Sequence, residues 1–312
     1  MQRSPTRVVR GNRMIVYYLV LCLVSLTQRL PRRLCYWIAS IVGDLVYVFW
    51  PSGRSNVIDN MRHVLGPEAT EKEIRATARR SFRNYVKLLV DFARNTDIDQ
   101  TTVEGRLETI GVEHLDQVFQ HLDQAFDHGK GVLLVGSHLG DWEIAGIALA
   151  NRGYRVSAVS ETLGNERINQ MAIRSRAARG IQLIPMEYAL RRVYAALRRN
   201  EAVGLVVDRP LPPDEGVSVK FFDQRISWPT GPAVLALRTG ASIVTGYLVR
   251  NERDDYIGEI FPPLEYETTG DQDADVRRIT QQLVSIQEDL IRRYPDQWFM
   301  FRRMWPSARG QS

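Results

Sequence analysis

His138 and Glu143 are five residues apart in the stretch Gly131 to Glu143, GVLLVGSHLGDWE. Gly131 to Gly136 reads as a short apolar strand, and Ser137-His138-Leu139-Gly140 as a polar turn. Asp141-Trp142-Glu143 opens a helix that continues to Arg152. On a continuous helix, five residues set two side chains roughly 140° apart. With the histidine in the turn and the glutamate in the first helical turn, the two can meet. A carboxylate on one ring nitrogen fixes the tautomer and stabilises the imidazolium, which leaves the other nitrogen to take a proton. Asp141, at the helix start, is the natural N-cap. The bland alternative for a lone histidine at a strand end is a structural or solvated side chain.

A base of this kind needs something to act on. A G-x-S-x-G elbow fails at Val135, and a serine adjacent to its own base is awkwardly placed. His63, His114, His121 and His128 are scattered. No H-E-x-x-H occurs, and Cys22 and Cys35 form no metal-ligand pattern, so no metal is expected. Neither a P-loop nor G-x-G-x-x-G is present, so no nucleotide cofactor is expected. A histidine base without a protein nucleophile or a metal suits deprotonation of a substrate hydroxyl. That hydroxyl would attack a good electrophile such as a thioester, whose thiolate leaves without strong acid help.

The elements that must position these groups follow from periodicity. From Thr102 onward, strands and helices alternate. Val103–Ile110, Gly131–Gly136, Arg155–Ser160, Ile181–Ile184 and Ala202–Val207 read as strands. Val112–His128, Asn165–Ala178 and Tyr188–Asn200 read as helices. Val217–Phe222 reads as an extra strand or hairpin arm, Pro232 opens a helix to Thr239, and 241–250 with 256–261 form paired strands. Val276, Ile279, Leu283, Ile286 and Leu290 mark a last amphipathic helix. The expected fold class is α/β, a mixed and largely parallel sheet flanked by helices. Ligands bind at the carboxyl ends of parallel strands. His138, Glu161 and the pair Asp208-Arg209 each follow a strand, so they face one crevice if those strands are neighbours.

Ahead of this domain the chain is greasy and basic. Arg3, Arg7, Arg10 and Arg13 precede an apolar run from Met14 to Leu26, and Leu34 to Trp50 forms a second run that holds Asp44. Helices apolar all round must be buried in protein or lipid. The expectation is that residues 1–51 lie in, or dip into, the inner face of a membrane. A spanning anchor and helices packed on the protein's own core are the alternatives. Residues 52–94 are helical, with a capping box at Thr70-Glu71-Lys72-Glu73 and an apolar stripe from Ile74 to Phe92. Residues 52–306 would form the catalytic domain and 307–312 a tail. The 312-residue chain carries a net charge of +5 with 44% hydrophobic residues, which argues against global disorder but does not choose between lipid, nucleic acid and phosphorylated partners.

SHLGDWE resembles the H-x4-D/E motif of the lysophospholipid acyltransferase superfamily. Its Gly129-Lys130-Gly131 lead-in resembles the bacterial late lipid A acyltransferases and the phosphatidylinositol-mannoside acyltransferases. VVDRP at 206–210, VKFFDQRISWPTGPAVLALRTGASIV after it, and the tail YPDQWFMFRRMWP resemble further blocks of that branch. The resemblance covers roughly residues 10 to 306. It implies a glycerol-3-phosphate-acyltransferase-like fold and an O-acyltransferase, with His138 as base and Glu143 as its orienting carboxylate. Arg174, Arg176 and Arg179, with Asp208 and Arg209, would bind substrate. Backbone amides near Gly140 or in the Gly231 loop would hold the oxyanion.

The implied partners are a glycolipid or lysophospholipid acceptor, an acyl carrier protein or CoA thioester as co-substrate, and the cytoplasmic face of an anionic bacterial inner membrane. No cofactor and no nucleic acid are expected. Two rival readings stay open: a thioesterase or esterase turning the same histidine on water, and a non-enzymatic membrane-surface binding protein.

Overall fold

The computed structural model describes residues 6–94, 107–110, 116–117, 130–213 and 215–305. Most of the helix expected at Val112–His128 lies outside the described residues, as do His114, His121, His128 and the 307–312 tail.

Four helices come first: α1 (Thr6–Arg29), α2 (Arg32–Phe49), α3 (Pro51–Leu65) and α4 (Glu71–Arg94). Proline and glycine set the breaks. Pro31 precedes α2, Pro51 starts α3, and Gly66 ends it at φ +79°. The capping box forms at α4: Thr70 N–H donates to Glu73 at 2.8 Å and Glu73 N–H to the Thr70 hydroxyl at 3.3 Å.

The apolar α2 has two different faces. Cys35, Tyr36, Ala39 and Gly43 pack inward. Gly43 lies so close to α4 that a Cβ there would sit 2.6 Å from the Arg83 Cα. Asp44, the carboxylate inside this apolar run, is gripped by Arg79 and Arg83 at 2.6–2.7 Å, which holds it far below the usual carboxylate range. The other face carries Trp37, Ile41, Leu45, Val48 and Phe49, all exposed. Among the described residues no single helix is long and apolar enough to cross a membrane. The pair α2–α3 reaches the length and composition but bends by 97°.

The main sheet contains β1 (Leu107–Ile110), β2 (Val132–Gly136), β3 (Val156–Ser160), β4 (Ile181–Pro185), β5 (Ala202–Val206), β8 (Ser242–Arg250) and β9 (Tyr256–Ile260). Their order is β1-β9-β8-β2-β5-β3-β4. From β8 to β4 all neighbours are parallel, and β9 turns back antiparallel on β8 as the polar turn between them requires. β6 (Val217–Phe221) and β7 (Gln224–Trp228) form a separate hairpin, so the extra strand is a hairpin arm outside the main sheet.

The connecting helices are α5 (Trp142–Asn151), α6 (Glu166–Ala177), α7 (Ala189–Arg198), α8 (Gly231–Thr239) and α9 (Gln272–Arg293). Along β2, Leu133 and Val135 pack with residues of α7, α8 and α9, whereas Val132 packs with Ile147 and Leu149 of α5. A strand buried on both faces reads as an unbroken apolar run, as VLLV does. A third core joins α3, α4, the hairpin and the aromatic tail around Phe82, Phe221, Trp228 and Trp298.

Candidate active site

β2, β5 and β3 are neighbours in that order, so His138, Asp208-Arg209 and Glu161 emerge together at their carboxyl ends. The chain after β2 leads to β3 on one side, and the chain after β5 crosses to β8 on the other. Such a divergence opens a crevice at the strand ends.

The turn after β2 is held by main-chain bonds. Gly140 takes φ +65°, and a Cβ there would lie 1.9 Å from the Leu248 carbonyl oxygen, so only glycine fits. Gly140 N–H donates to the Gln297 carbonyl at 2.9 Å, and Asp141 N–H to that of Leu248 at 2.7 Å. Phe299 N–H donates to the His138 carbonyl at 2.8 Å. The aromatic tail therefore straps the histidine turn. Asp141 caps α5 through Ile144 N–H at 3.0 Å, as expected.

His138 Nδ1 lies 2.6 Å from Asp208 Oδ1, and its own backbone N–H donates to Oδ2 at 2.8 Å. The Trp298 indole donates to the same Oδ2 at 2.8 Å. Asp208 is fully buried. Burial alone would push its carboxyl up, but the histidine's charge and these three hydrogen bonds hold it below its ordinary value. With Nδ1 engaged, Nε2 is the nitrogen left for a reacting proton, and the His138 side chain is 20% exposed. The approach is aromatic. Trp142 meets the imidazole edge-on at 5.2 Å, and Phe299 lies between Trp142 and Tyr85 of α4.

The expected contact between His138 and Glu143 is not the one these side chains make. Glu143 is buried and forms a forked ion pair with Arg176, whose Nε lies 2.8 and 3.1 Å from its two oxygens. Its place in the first helical turn points it at α6, and a carboxylate buried there needs a guanidinium. Arg176, expected to bind substrate, is thereby occupied, and it also stacks on Phe92 at 5.1 Å. Asp208, expected on the substrate side, is instead the histidine's partner. Arg209 points outward and pairs with Glu161, which is half exposed. Arg174 is exposed on α6. The amides of Gly140 and Asp141 are already bonded and cannot serve an oxyanion. The start of α8 at Gly231 has no side-chain cap.

Sequence reasoning missed the tail's part in this arrangement: Gln297, Trp298 and Phe299 carried a family likeness but no spacing that tied them to His138. It also missed a buried network beside the turn. Asp91 of α4 accepts bonds from Tyr36, Arg250 and Tyr256, and the Tyr256 hydroxyl reaches Asp141 at 3.3 Å. Burial and the neighbouring Asp91 push the Asp141 carboxyl up to about 7.

The sequence is similar to known proteins along most of its length. The profile for "Bacterial lipid A biosynthesis acyltransferase" matches residues 5–307. A phosphatidylinositol mannoside acyltransferase of Mycobacterium tuberculosis strain H37Rv is 29% identical over 83% of this chain and 79% of its own. One from Mycolicibacterium smegmatis is 27% identical over 73% of this chain and 71% of its own. With nearly its whole length matched, the chain belongs to the bacterial lipid A biosynthesis acyltransferase family and is an acyl-transferring enzyme.

Proposed function

We propose that this enzyme moves a fatty acyl group from an acyl carrier protein or CoA thioester to a hydroxyl of a membrane glycolipid, of the lipid A or phosphatidylinositol-mannoside type. The observation that carries the reading is His138 Nδ1 bound to the buried Asp208, which leaves Nε2 at an aromatic mouth. The names of the similar mycobacterial proteins support a mannoside-bearing acceptor.

In the proposed step, His138 Nε2 takes the proton of the acceptor hydroxyl while its oxygen attacks the thioester carbon. The tetrahedral intermediate collapses, the C–S bond breaks, and the imidazolium Nε2 returns its proton to the departing sulfur. The products are an ester and a free thiol. Asp208 holds the tautomer and stabilises the imidazolium, the role expected of Glu143. Glu143 and Arg176 brace α5 against α6.

Arg209 is the substrate-side cation of this reading. Its pair with Glu161 is open enough to water to be exchanged for a phosphate at little cost, and a guanidinium can grip phosphate with two parallel bonds. The exposed apolar faces of α1 and α2 support attachment to a membrane, which this reading takes to be the cytoplasmic face of the inner membrane.

The test is transfer of labelled acyl chains to extracted glycolipid. His138→Ala is expected to lower the rate by about 10²–10⁴-fold with unchanged thermal unfolding. Asp208→Asn presents an amide N–H to Nδ1, favours the wrong tautomer, and is expected to lose a similar factor. Near-normal transfer in either variant would refute the mechanism. Release of free acid at one rate with and without glycolipid would make the enzyme a hydrolase instead.

A further inference from the structure

β4 lies at the edge of the sheet beyond β3, and it runs parallel to β2 and β5. The chain leaving its carboxyl end therefore emerges on the same rim as His138. That chain is one turn of 3-10 helix, Met186–Tyr188, followed by α7. It leaves a cluster of apolar side chains in the open: Met186 50% exposed, Tyr188 64%, Leu190 63% and Tyr194 43%, with Leu163 from the neighbouring loop at 45%. Arg191 and Arg192 are exposed among them, and the Arg192 guanidinium lies 5.5 Å from the Tyr188 ring centre. The inward residues Val193, Ala196 and Leu197 already satisfy the core, so packing does not account for the outward ones.

The cluster is physically continuous with the N-terminal helices. The Thr162 hydroxyl donates to Glu187 at 3.2 Å, the neighbouring Leu163 N–H donates to Asn169 at 3.1 Å, and Arg167 on the same helix stacks on Tyr17 of α1 at 5.5 Å. α1 in turn exposes Val16, Tyr18, Leu19, Leu23 and Leu26. Two apolar surfaces, far apart in sequence, thus meet along one rim.

We propose that Leu163, Met186, Tyr188 and Leu190 form a second membrane contact, with Arg191 and Arg192 on the anionic headgroups. It adjoins the N-terminal helices along the rim that carries His138, so that the mouth at His138 opens onto the bilayer. The inference rests on the lipid-acceptor reading above and names the surface that presents the site to that lipid. Its chemistry is that of a bilayer interface: apolar side chains inserted, tyrosines at headgroup depth, and arginines that keep their stems in the apolar layer and their charge outside it. A bilayer touches α1 and the start of α7 together, because both belong to one rim. A lipid acceptor can then reach Nε2 without leaving the membrane, and its polar head would meet Arg209.

The experiment is flotation of the full-length protein with vesicles of phosphatidylglycerol and phosphatidylcholine, without either substrate. Binding is therefore read independently of the reaction. Tyr188→Asp with Leu190→Asp is expected to weaken vesicle binding at least about tenfold while thermal unfolding stays put. Arg191→Gln with Arg192→Gln is expected to weaken binding to the mixed vesicles but not to phosphatidylcholine alone. Should the aspartate variant unfold, Tyr188→Ser with Leu190→Ser carries the same expectation. Unchanged vesicle affinity in the folded variants overturns the proposal. If those variants instead lose binding to an acidic acyl carrier protein, or dissociate a dimer seen by light scattering, the surface belongs to a protein partner or to a second copy of this chain. Failure of acyl transfer alone would strike the proposed function and leave the vesicle result standing.

Discussion

At the scale of single residues, three carboxylates lie near one histidine, and their surroundings separate them. Asp208 is buried but receives three hydrogen bonds and faces the imidazole, so it stays charged. Glu143 is buried and charge-paired with Arg176. Asp141 is buried with a like charge nearby. Only the first touches the imidazole. Glu143→Gln is therefore expected to act on stability before chemistry. Removing one partner of a largely buried pair leaves Arg176 uncompensated and costs about 1–3 kcal/mol, the lower values reflecting its partial exposure. Glu143→Gln with Arg176→Gln should recover part of that loss in chemical denaturation. Loss of transfer as deep as in Asp208→Asn, with stability intact, would return the orienting role to Glu143.

At the scale of elements, the histidine turn is clamped between β8 and the aromatic tail, while the buried Asp91–Arg250–Tyr256 network ties it to α2 and α4. That network gives a pH signature. Asp141 titrates near 3.8 when unperturbed and about 7 in the fold, so between those values the folded chain holds a proton that the unfolded chain has lost. Its contribution to stability is thus full below about pH 4 and disappears as the pH rises through about 7. Asp208 acts in the opposite sense, so the effect must be read against a variant. Asp141→Asn keeps the cap on Ile144 and cannot ionise. From pH 5 to pH 8 the wild type is expected to lose about 2–4 kcal/mol relative to it in denaturant titrations. A constant difference across that range would show that Asp141 stays charged.

At the scale of the whole molecule, one layer of helices is both core and surface. α2 packs along α4 through Tyr36, Ala39 and Gly43 and shows solvent a row of large apolar side chains. A patch of that extent on a monomer marks an interaction surface. Trp37 is 64% exposed, so Trp37→Asp is expected to leave thermal unfolding within a degree or two and to weaken vesicle association severalfold. Equal vesicle binding by the two proteins would remove α2 from the membrane contact.

Periodicity was enough for the alternating strands and helices, because a strand buried on both faces and an amphipathic helix each leave a pattern within a few residues. The His138 turn and the Asp141 cap were legible for the same reason: both are local. Pairing across the chain was not. Asp208 lies 70 residues from His138 and Trp298 lies 90 residues from Asp208, and neither separation has a sequence period. A carboxylate five residues away, Glu143, was therefore matched to the histidine, while the strand order brought a more distant one to it. Whether an apolar helix faces protein or the outside is likewise decided by its neighbours, and α2 does both. The sequence by itself determined that a histidine stands at a strand end in a chain of an acyl-transferring family. Only the tertiary structure decided which carboxylate holds it, since that depends on which strands lie side by side.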